Sequence, residues 1–307
     1  MVLFRETGVT EEMSETNAAK KRKCDGSSPA NLDELVSNRA KPFVKWVGGK
    51  GQLLPQLLKK RPKVFRRYFE PFVGGGAFFF ALNPSRGYIS DVNEELINTY
   101  QVVRDDVDSL VKLLRKHRYD EEYFYAVRDW DRKKAFRQMS RVKRAARFIY
   151  LNKTCFNGLH RVNSKGHFNV PFGDYKNPTI VDETNLYLCS GTLKGVDIEV
   201  AGYMSVEEKV KKGDFVYFDP PYAPLTATAN FTSYTANGFG SCDQEQLRDL
   251  CVRLDKRGVH VMVSNSSAPL ILDLYKKFNL ELVDAKRSIN SRGNSRGPVK
   301  EVIVTNY

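Results

Sequence analysis

The chain has 307 residues, enough for a full hydrophobic core, and its 49 Lys and Arg exceed its 36 Asp and Glu, giving a net charge of +13. A basic chain favours a polyanionic partner, and no apolar run approaches the ~20 residues of a membrane span, which argues against a membrane protein. Five scattered cysteines without a C-x-x-C pair and four isolated histidines argue against a disulfide framework and a metal site, so we expect a reducing compartment and no metal.

Residues 1–40 form a polar segment that we expect to be a flexible arm, because it can bury little apolar surface. It lacks the apolar core of a signal peptide. Its basic cluster Lys20–Lys23 resembles a nuclear localisation signal, with a solvated basic tail as the alternative.

A glycine-rich segment, Gly48–Gly51, comes next and precedes a helix predicted at Gln52–Lys60. It is not a phosphate-binding loop, because Val44 stands where that loop has its first glycine and Gly51 where it has Ser or Thr. The glycines instead let a ligand approach the backbone closely. Lys50 is available for a carboxylate, and Trp46 for a ring or a sulfonium group.

A second glycine-rich turn, Glu70–Gly76, lies between a strand predicted at Arg67–Phe69 and a helix predicted at Ala77–Leu82. This order of elements admits a nucleotide-like ligand in α/β folds. Phe79 replaces the third glycine of the dinucleotide fingerprint, so an adenosine ligand without phosphates fits better. Asp91, at the end of the next predicted strand, suits ribose hydroxyls, with a helix N-cap as the alternative.

The middle of the chain changes character. Long charged helices are predicted at Asp108–His117, Glu121–Trp130 and Lys134–Leu151, followed by a hairpin turn at Asn163–Gly166. We therefore expect an insertion of helices and a β-hairpin at residues 93–181, between the two parts, 41–92 and 182–307, of one larger domain.

After residue 181 the chain again alternates strands and helices. Helices are predicted at Glu245–Arg257 and Ala268–Phe278, and strands at Leu186–Cys189, Val196–Val200, Phe215–Phe218, Val259–Ser264, Leu280–Val283 and Val302–Thr305. The predicted fold class is α/β, a doubly wound sheet interrupted by the insertion.

The strand at Phe215–Phe218 ends abruptly at Asp219-Pro220-Pro221-Tyr222. Neither proline can donate a backbone hydrogen bond, so the ladder stops there. Asp219 and the Pro220 carbonyl can accept hydrogen bonds from an exocyclic amine, while Tyr222 can stack on the ring that carries it. Ligands bind at this end of strands in open α/β sheets, although an ordinary exit from a strand is the alternative for the motif alone.

Two polar segments suit contact with nucleic acid. In the hairpin region Arg161 can bind guanine, and Asn163 and Asn169 can bind adenine or a phosphate, with Lys165 nearby and a polar surface hairpin as the alternative. The basic loop Lys286–Arg296 has no acidic residue and suits a phosphate backbone, with mere solubility as the alternative.

Taken in order, the segments Lys45–Lys50, Glu70–Gly76 and Asp219–Tyr222, with the insertion before the last, resemble the alpha-group DNA adenine-N6 methyltransferases, most closely the Dam type that acts on GATC. The resemblance covers about residues 42–307. Its most specific parts are Asn157–Asn163, Gly166–Gly173, Asp219–Leu225 and Asn230–Tyr234.

This resemblance implies a Rossmann-like methyltransferase sheet that binds S-adenosyl-L-methionine, and an insertion that serves as the target-recognition domain for double-stranded DNA. The implied cofactor residues are Trp46, Lys50, Phe72, Gly74, Gly75, Gly76, Asp91 and Asp219. The implied catalytic residues are Asp219, Pro220 and Tyr222, which receive an adenine flipped out of the duplex. Those predicted to contact DNA are Phe156, Leu159, Arg161, Asn163, Asn169, Pro171, Tyr175, Lys176, Asn230, Arg292 and Arg296.

One departure bears on specificity. The related GATC enzymes have Arg, which reads guanine, directly before the Tyr that matches Tyr175, whereas this chain has Asp174 there. Either Lys176 substitutes for that Arg, or the reading of that base pair is relaxed or changed.

The expected function is site-specific methylation of adenine N6 in duplex DNA. The alternatives are methylation of RNA adenine or of a glutamine amide, or a catalytically silent DNA-binding homologue. We expect an intracellular protein associated with DNA, in the nucleoid or, through Lys20–Lys23, the nucleus. A monomer is expected, with a dimer on DNA as the alternative.

Overall fold

The computed structural model describes residues 39–225, 238–285 and 299–307. Predictions for the Lys20–Lys23 cluster, Asn230, Arg292 and Arg296 therefore lie outside the described residues, as do almost all of the arm and the loop at 286–296. In the described ranges, no helix has both the length and the apolar character needed to cross a bilayer.

The centre of the fold is a sheet of seven strands in the order β3-β2-β1-β4-β5-β7-β6. These strands are β1 (Tyr68–Glu70), β2 (Gly87–Asp91), β3 (Val196–Val200), β4 (Phe215–Phe218), β5 (His260–Ser266), β6 (Asn279–Ala285) and β7 (Val299–Thr305). Neighbouring strands from β3 to β5 are parallel, and β7 is antiparallel to both β5 and β6. The predicted α/β sheet is confirmed.

The helices cover the sheet and build the insertion. They are α1 (Leu54–Lys60), α2 (Ala77–Leu82), α3 (Glu94–Asp105), α4 (Val107–Leu114), α5 (Glu121–Arg128), α6 (Arg141–Thr154), α7 (Glu183–Leu193), α8 (Val206–Lys209), α9 (Ser241–Lys256) and α10 (Pro269–Leu274). Short 3₁₀ helices lie at Asp129–Arg132, Lys134–Gln138, Phe156–Gly158 and Tyr203–Ser205.

Two predictions of secondary structure are wrong, and in both places a side-chain cap decides the outcome. The predicted helix Lys134–Leu151 is divided, because Ser140 accepts a hydrogen bond from the Lys143 backbone and starts α6 there. The predicted strand Leu186–Cys189 lies inside α7, where Asp182 caps the helix by accepting from the Asn185 backbone. An apolar run of four residues is too short to separate a strand from a buried helix turn.

Buried apolar residues form three groups. Two of them contain sheet residues and the helices packed on them, including α3 and α7. The third contains no sheet residue and joins α5, α6 and the segment that follows α6, through Phe124, Val127, Tyr150, Leu151, Cys155, Phe168 and Val170. The middle of the chain therefore has a small core of its own, while the boundaries at 93 and 181 stay a prediction.

The predicted hairpin turn is confirmed. The Gly166 amide donates to the Asn163 carbonyl at 2.9 Å, and Val162 and Phe168 face each other in an antiparallel bridge. Gly166 has φ +76°, a conformation that favours glycine.

Candidate functional site

The candidate site lies where the carboxyl ends of the parallel strands meet. Strands β1 and β2 end at Glu70 and Asp91, and Asp219 directly follows β4. Because β1 pairs in parallel with both β2 and β4, the three carboxyl groups lie along one edge of the sheet. All four residues of β4 are buried, so the strand positions Asp219 rigidly.

Asp219 is held by one cation and one hydroxyl group. The Lys50 Nζ atom lies 2.8 Å from Asp219 Oδ2, and Ser264 Oγ donates to Asp219 Oδ1 at 2.8 Å. Ser264 is fully buried on β5, where its hydroxyl also shares a 2.8 Å hydrogen bond with Tyr217. Burial raises the pKa of Asp219, and the charge and hydrogen bond of Lys50, together with the Ser264 hydrogen bond, oppose that rise.

Tyr222 lies beside the same ion pair. Its hydroxyl donates to Glu301 Oε2 on β7 at 2.8 Å, which fixes the ring. Lys50 Nζ lies 4.6 Å from the centre of the Tyr222 ring, a cation–π contact. The structure thus brings Lys50, Asp219 and Tyr222 together, as the sequence predicted for one site.

The loop after β4 is braced by polar groups from two neighbouring elements. Gln244 on α9 donates to the Pro221 carbonyl at 2.9 Å, and the Ala223 amide donates to Asn265 Oδ1 on β5 at 3.0 Å. Gln244 and Asn265 also bond to each other at 3.0 Å, and both are buried. The loop is therefore fixed to both α9 and β5 by hydrogen bonds.

A second carboxyl group, Glu70, lies in the buried interior close to Asp219. Only 3% of Glu70 is exposed, and the Tyr68 hydroxyl donates to Glu70 Oε2 at 2.5 Å. Burial raises the pKa of Glu70 to about 8; the Tyr68 hydrogen bond lowers it and the charge of Asp219 raises it. At neutral pH Glu70 therefore keeps its proton, which spares the site a second buried negative charge.

The glycine turn after β1 allows close packing against Trp46. A Cβ atom on Gly74 would lie 2.6 Å from the Trp46 ring, and one on Gly76 would lie 2.6 Å from the Tyr100 hydroxyl. Gly74 and Gly76 have φ values of +45° and +69°. Only glycine fits these two positions, so the close approach expected from the sequence is present.

Asp91 faces the same turn. Its Oδ2 accepts from the Gly74 amide at 3.2 Å and its Oδ1 from the Asn93 amide at 3.0 Å. Burial raises the pKa of Asp91, while these backbone hydrogen bonds lower it. Asn93, not Asp91, is the N-cap of α3, because its side chain accepts from the Leu96 amide. The alternative role of Asp91 as helix cap is therefore wrong.

Three aromatic rings pack together at the glycine turn, one from the turn itself and two from other parts of the chain. Phe72 stacks on Tyr203 with ring centres 5.3 Å apart, and Phe239 packs edge-on against both rings at 5.8 Å. The Tyr203 hydroxyl is buried and has no hydrogen-bond partner among the described residues.

These features fit S-adenosylmethionine, the cofactor that the resemblance implies. The aromatic rings and the unpaired Tyr203 hydroxyl suit a flat heterocycle with polar edges, and the Asp91 carboxylate suits vicinal hydroxyls. The glycine turn offers backbone without a side chain in the way. No group of three or more His, Cys, Asp or Glu side chains in the described residues is arranged to hold a metal ion.

The residues predicted to contact DNA lie on and beside the hairpin, and most of them are exposed. The exposed ones are Phe156, Arg161, Asn163, Pro171 and Lys176. The half-buried ones are Leu159, Asn169 and Tyr175. Their hydrogen bonds are local: Arg161 Nε donates to Asn169 Oδ1 at 2.8 Å, and Asn163 Oδ1 accepts from the Lys165 and His167 amides.

Tyr175 is more constrained than its neighbours. Its hydroxyl donates to the Cys155 carbonyl at 2.9 Å, and its amide donates to the Tyr119 hydroxyl at 2.7 Å. Asp174 and Lys176 are both exposed on either side of this fixed residue. Tyr175 therefore sets the directions in which its two charged neighbours project.

Buried contacts tie the hairpin to the segment that carries Trp46. Asn152 Oδ1 accepts from the Lys45 amide at 2.7 Å, and Asn152 Nδ2 donates to the carbonyls of Lys45 and Gly158 at 2.8 and 3.0 Å. Trp46 stacks on His160 with ring centres 5.3 Å apart. Burial lowers the pKa of His160 to about 4, so its ring is neutral at physiological pH.

Several residues of the site were not predicted from the sequence. Ser264, Asn265, Gln244 and Glu301 come from three different elements, and each bonds to a residue of the segment Asp219–Ala223. One signal was available in the sequence, the polar run Ser264–Ser267, which follows the apolar part of β5. The predicted site residues that the structure describes fall into two groups, one at the strand ends and one at the hairpin.

Comparison with known proteins finds related sequences along most of the chain. The family model described as D12 class N6 adenine-specific DNA methyltransferase matches residues 46–289. Type II methyltransferase M1.LlaDCHI of Lactococcus lactis subsp. cremoris is 47% identical over 281 residues, 90% of this chain and 99% of that protein. Type II methyltransferase M.MjaIII of Methanocaldococcus jannaschii is 46% identical over 287 residues, with shares of 87% and 99%. The DNA adenine methylase of Escherichia coli K12 is 36% identical over 273 residues, with shares of 88% and 95%.

Proposed function

Because the chain belongs to the D12 class N6 adenine-specific DNA methyltransferases, which use S-adenosylmethionine, we propose that it methylates adenine at GATC in duplex DNA and flips the target base into the pocket at Asp219. Family membership also removes the alternatives of an RNA adenine or a glutamine amide as the substrate. The observation that carries the proposal is the braced Asp219–Tyr222 loop, with its carboxylate oriented by Lys50 and Ser264.

The chemistry assigned to this loop is hydrogen bonding to the exocyclic amine. Asp219 and the Pro220 carbonyl each accept a hydrogen bond from the N6 amino group. These two hydrogen bonds draw the nitrogen toward tetrahedral geometry and free its lone pair. Within the described residues, no donor bonds to the Pro220 carbonyl, whereas the Pro221 carbonyl is occupied by Gln244. The rate then depends on positioning and electrostatics, without a covalent enzyme intermediate.

S-adenosylmethionine would supply an electrophilic methyl group: the N6 nitrogen bonds to the methyl carbon as the bond from sulfur breaks, S-adenosylhomocysteine leaves as a neutral thioether, and the methylated nitrogen releases one proton to solvent. The residues proposed to hold the cofactor are Trp46, Lys50, Phe72, Gly74–Gly76 and Asp91. Asp91 binds the ribose hydroxyls, and the backbone of the glycine turn admits the rest of the molecule closely. Tyr222, fixed by Glu301, stacks on the flipped adenine.

Recognition of the sequence is assigned to the hairpin and its flank. Arg161, Asn163 and Asn169 contact the backbone and base edges, and Phe156, which is 51% exposed, helps fill the opened duplex with Leu159. Lys176 replaces the Arg that related GATC enzymes carry beside the Tyr at this position. Lysine can bind guanine O6 and N7, so the guanine is still read, with the side chain approaching from the other side of Tyr175.

We propose further that the enzyme acts as a monomer on intracellular DNA. One target adenine needs one pocket, and the carboxylate, carbonyl and ring proposed for it, at Asp219, Pro220 and Tyr222, all belong to one chain, which supports this proposal. The compartment follows from where the substrate DNA lies.

The test is incubation of the purified protein with S-adenosylmethionine and unmethylated plasmid, followed by mapping of N6-methyladenine by single-molecule sequencing. Methylation confined to GATC is the expected result. Methylation of another motif would keep the chemistry and contradict the reading of guanine by Lys176. Duplex binding without methylation would contradict the proposed catalysis and indicate a silent homologue.

A further inference from the structure

A long stretch of the insertion is free of acidic residues. From Arg132 to Gly173 the sequence contains no Asp or Glu, although it includes the basic residues Arg132, Lys133, Lys134, Arg137, Arg141, Lys143, Arg144, Arg147, Lys153, Arg161 and Lys165. Residues 35–69 and 285–300 also lack Asp and Glu, but both stretches lie outside the insertion. A local excess of this kind creates a positive surface that attracts polyanions.

Some of these basic side chains are already used inside the protein. Arg147 makes a buried ion pair with Asp131 at 2.8 Å, and Arg144 pairs with Glu95. Arg132 bonds to Asp131 and to backbone carbonyls. Their charges serve the fold, so they are not available to a partner.

Three others are not used in this way, and we call Lys133, Lys134 and Arg137 the basic ledge. All three are exposed, and none has an ion-pair or hydrogen-bond partner for its side chain in the part of the chain that the structure describes. Together with neighbouring residues they line an open cavity of about 350 Å³ on the surface.

Contacts with α6 hold the basic ledge in place. Phe136 lies in the 3₁₀ helix Lys134–Gln138, and the guanidinium groups of Arg147 and Arg144 on α6 lie 5.0 and 5.5 Å from its ring centre. These cation–π contacts anchor the segment on α6. The positive charges are therefore presented by a fixed surface and not by a loose tail.

The ledge also adjoins the hairpin. The Phe168 amide donates to Asp131 Oδ2 at 2.8 Å, and Arg132 donates to the Phe168 carbonyl at 3.2 Å. Phe168 is the hairpin residue that pairs with Val162. A duplex held on the hairpin would thus have the ledge directly beside it.

We propose that the basic ledge binds the phosphate backbone of duplex DNA outside the recognised sequence, and that it contributes affinity without contributing to the choice of sequence. The inference rests on the proposed function, because it needs duplex DNA on the hairpin. At the ~2 Å rise per residue of a 3₁₀ helix, the four steps from Lys133 to Arg137 extend the ledge roughly 8 Å, which spans about three successive phosphates spaced ~3.4 Å apart along the axis.

The test compares the wild-type protein with the triple variant Lys133→Gln, Lys134→Gln, Arg137→Gln. The control triple variant is Lys63→Gln, Lys256→Gln, Lys277→Gln. It removes the same charge from lysines that are exposed and unpaired in the described residues, and that precede the amino ends of β1, β5 and β6. Each protein is titrated with a duplex carrying the sequence that the wild type methylates, over a range of salt concentrations. A second duplex carries neutral methylphosphonate linkages in the flanks, within about five base pairs of the site.

The expected result is a change in the salt dependence of binding. If the ledge makes three phosphate contacts, the slope of log K against log salt concentration decreases by about 2.7 in the ledge variant, so the wild type loses about 40-fold more affinity than this variant over a fourfold rise in salt. Neutral flanks weaken the wild type and the control variant but leave the ledge variant unchanged. The methylated sequence and kcat stay as in the wild type.

Three outcomes would overturn the proposal: an unchanged salt slope, an equal loss in the control variant, or a ledge variant that neutral flanks weaken as much as the wild type. A wild-type protein that binds but does not methylate any duplex would instead contradict the proposed function and leave the binding comparison intact. Thermal unfolding of both variants checks that their folds are unchanged.

Discussion

Around Asp219 the charged groups are buried or half-buried and held by partners from separate parts of the chain, whereas around Arg161 the polar side chains are mostly exposed and bond within their own hairpin. In the first region, Lys50 comes from the segment before α1, Ser264 comes from β5, and Glu301 comes from β7. In the second region, the side-chain hydrogen bonds of Arg161 and Asn163 join residues within about ten positions of each other. On the proposed roles, the catalytic region is held by several parts of the domain, whereas the recognition of sequence rests on exposed side chains that can change with few substitutions.

The largest effect is expected from Asp219→Ala. It removes the acceptor for the amine in a buried site, so methylation should decrease by at least about 1,000-fold. Duplex affinity should stay within a few-fold of the wild type, because the hairpin is untouched. Single-turnover methylation and titration with labelled duplex measure the two quantities. Asp273→Ala, an exposed carboxylate of a surface pair, is the control, and substantial activity in Asp219→Ala would contradict the assigned role.

Glu70→Gln tests whether the buried region keeps a protonated carboxyl group. The pKa of Glu70 is about 8 in the folded protein and about 4.5 in the unfolded chain, so between these pH values only the folded protein keeps the Glu70 proton. The free energy of unfolding of the wild type therefore decreases as pH rises from about 4.5 to 8. Glutamine resembles the protonated form and lacks this loss. The variant should therefore gain stability over the wild type across that window, by about 1.4 kcal/mol for each pKa unit.

Denaturant unfolding at a series of pH values measures this gain. Equal pH dependence in the two proteins would mean that Glu70 is ionised in the fold. Glu245→Gln, at an exposed residue of α9 with no ion pair in the described part of the chain, serves as the matched control and should follow the wild type.

Ser264→Ala sharpens the comparison within the buried region, because it keeps Asp219 and removes one of its two partners. The lost donor raises the pKa of Asp219 further, so the acid limb of the pH profile of kcat should move to higher pH. At neutral pH a loss of about tenfold or more is expected for a hydrogen bond to a charged group. Ser190→Ala, a buried serine on α7, is the control. A uniform loss at every pH would indicate a structural effect only.

Lys176→Gln carries the smallest expected effect and probes the exposed region. Preference for GATC over a site with the guanine replaced should decrease by about tenfold, the value of one base contact, with kcat on GATC nearly unchanged. Competition between the two sites in one duplex mixture measures the ratio, with Lys116→Gln as the control. A change in kcat without a change in preference would contradict the reading of guanine by Lys176.

The elements of the fold were largely predictable because most of them carry strong local patterns. Phe215–Phe218 and Ala77–Leu82 coincide with β4 and α2, and most other strand ends differ by one or two residues. The prediction failed at Leu186–Cys189, where the helix cap lies four residues earlier and outweighs an apolar run. At Ser140 a single hydroxyl group divides two elements that share the same charged composition.

The site was predictable only as far as its motifs reach. Asp219, Lys50 and Tyr222 each stand in a motif, and the fold brings them together. Ser264 and Glu301 do not, because they reach the site only when β5 pairs in register with β4 and β7 pairs in register with β5. Glu70 was read as part of a cofactor turn, since its burial and its bond with Tyr68 depend on packing that a linear pattern does not show.

The contact between Lys45, Asn152 and Gly158 has a consequence for the exchange of parts between related enzymes. Asn152 is 2% exposed and joins the start of the larger domain to the base of the hairpin, and a Cβ on Gly158 would lie 2.3 Å from Lys45. A hairpin grafted from a relative would therefore need its own partner segment to come with it. The unit that can be transplanted consists of two pieces distant in sequence, and a cut at 93 and 181 alone would divide it.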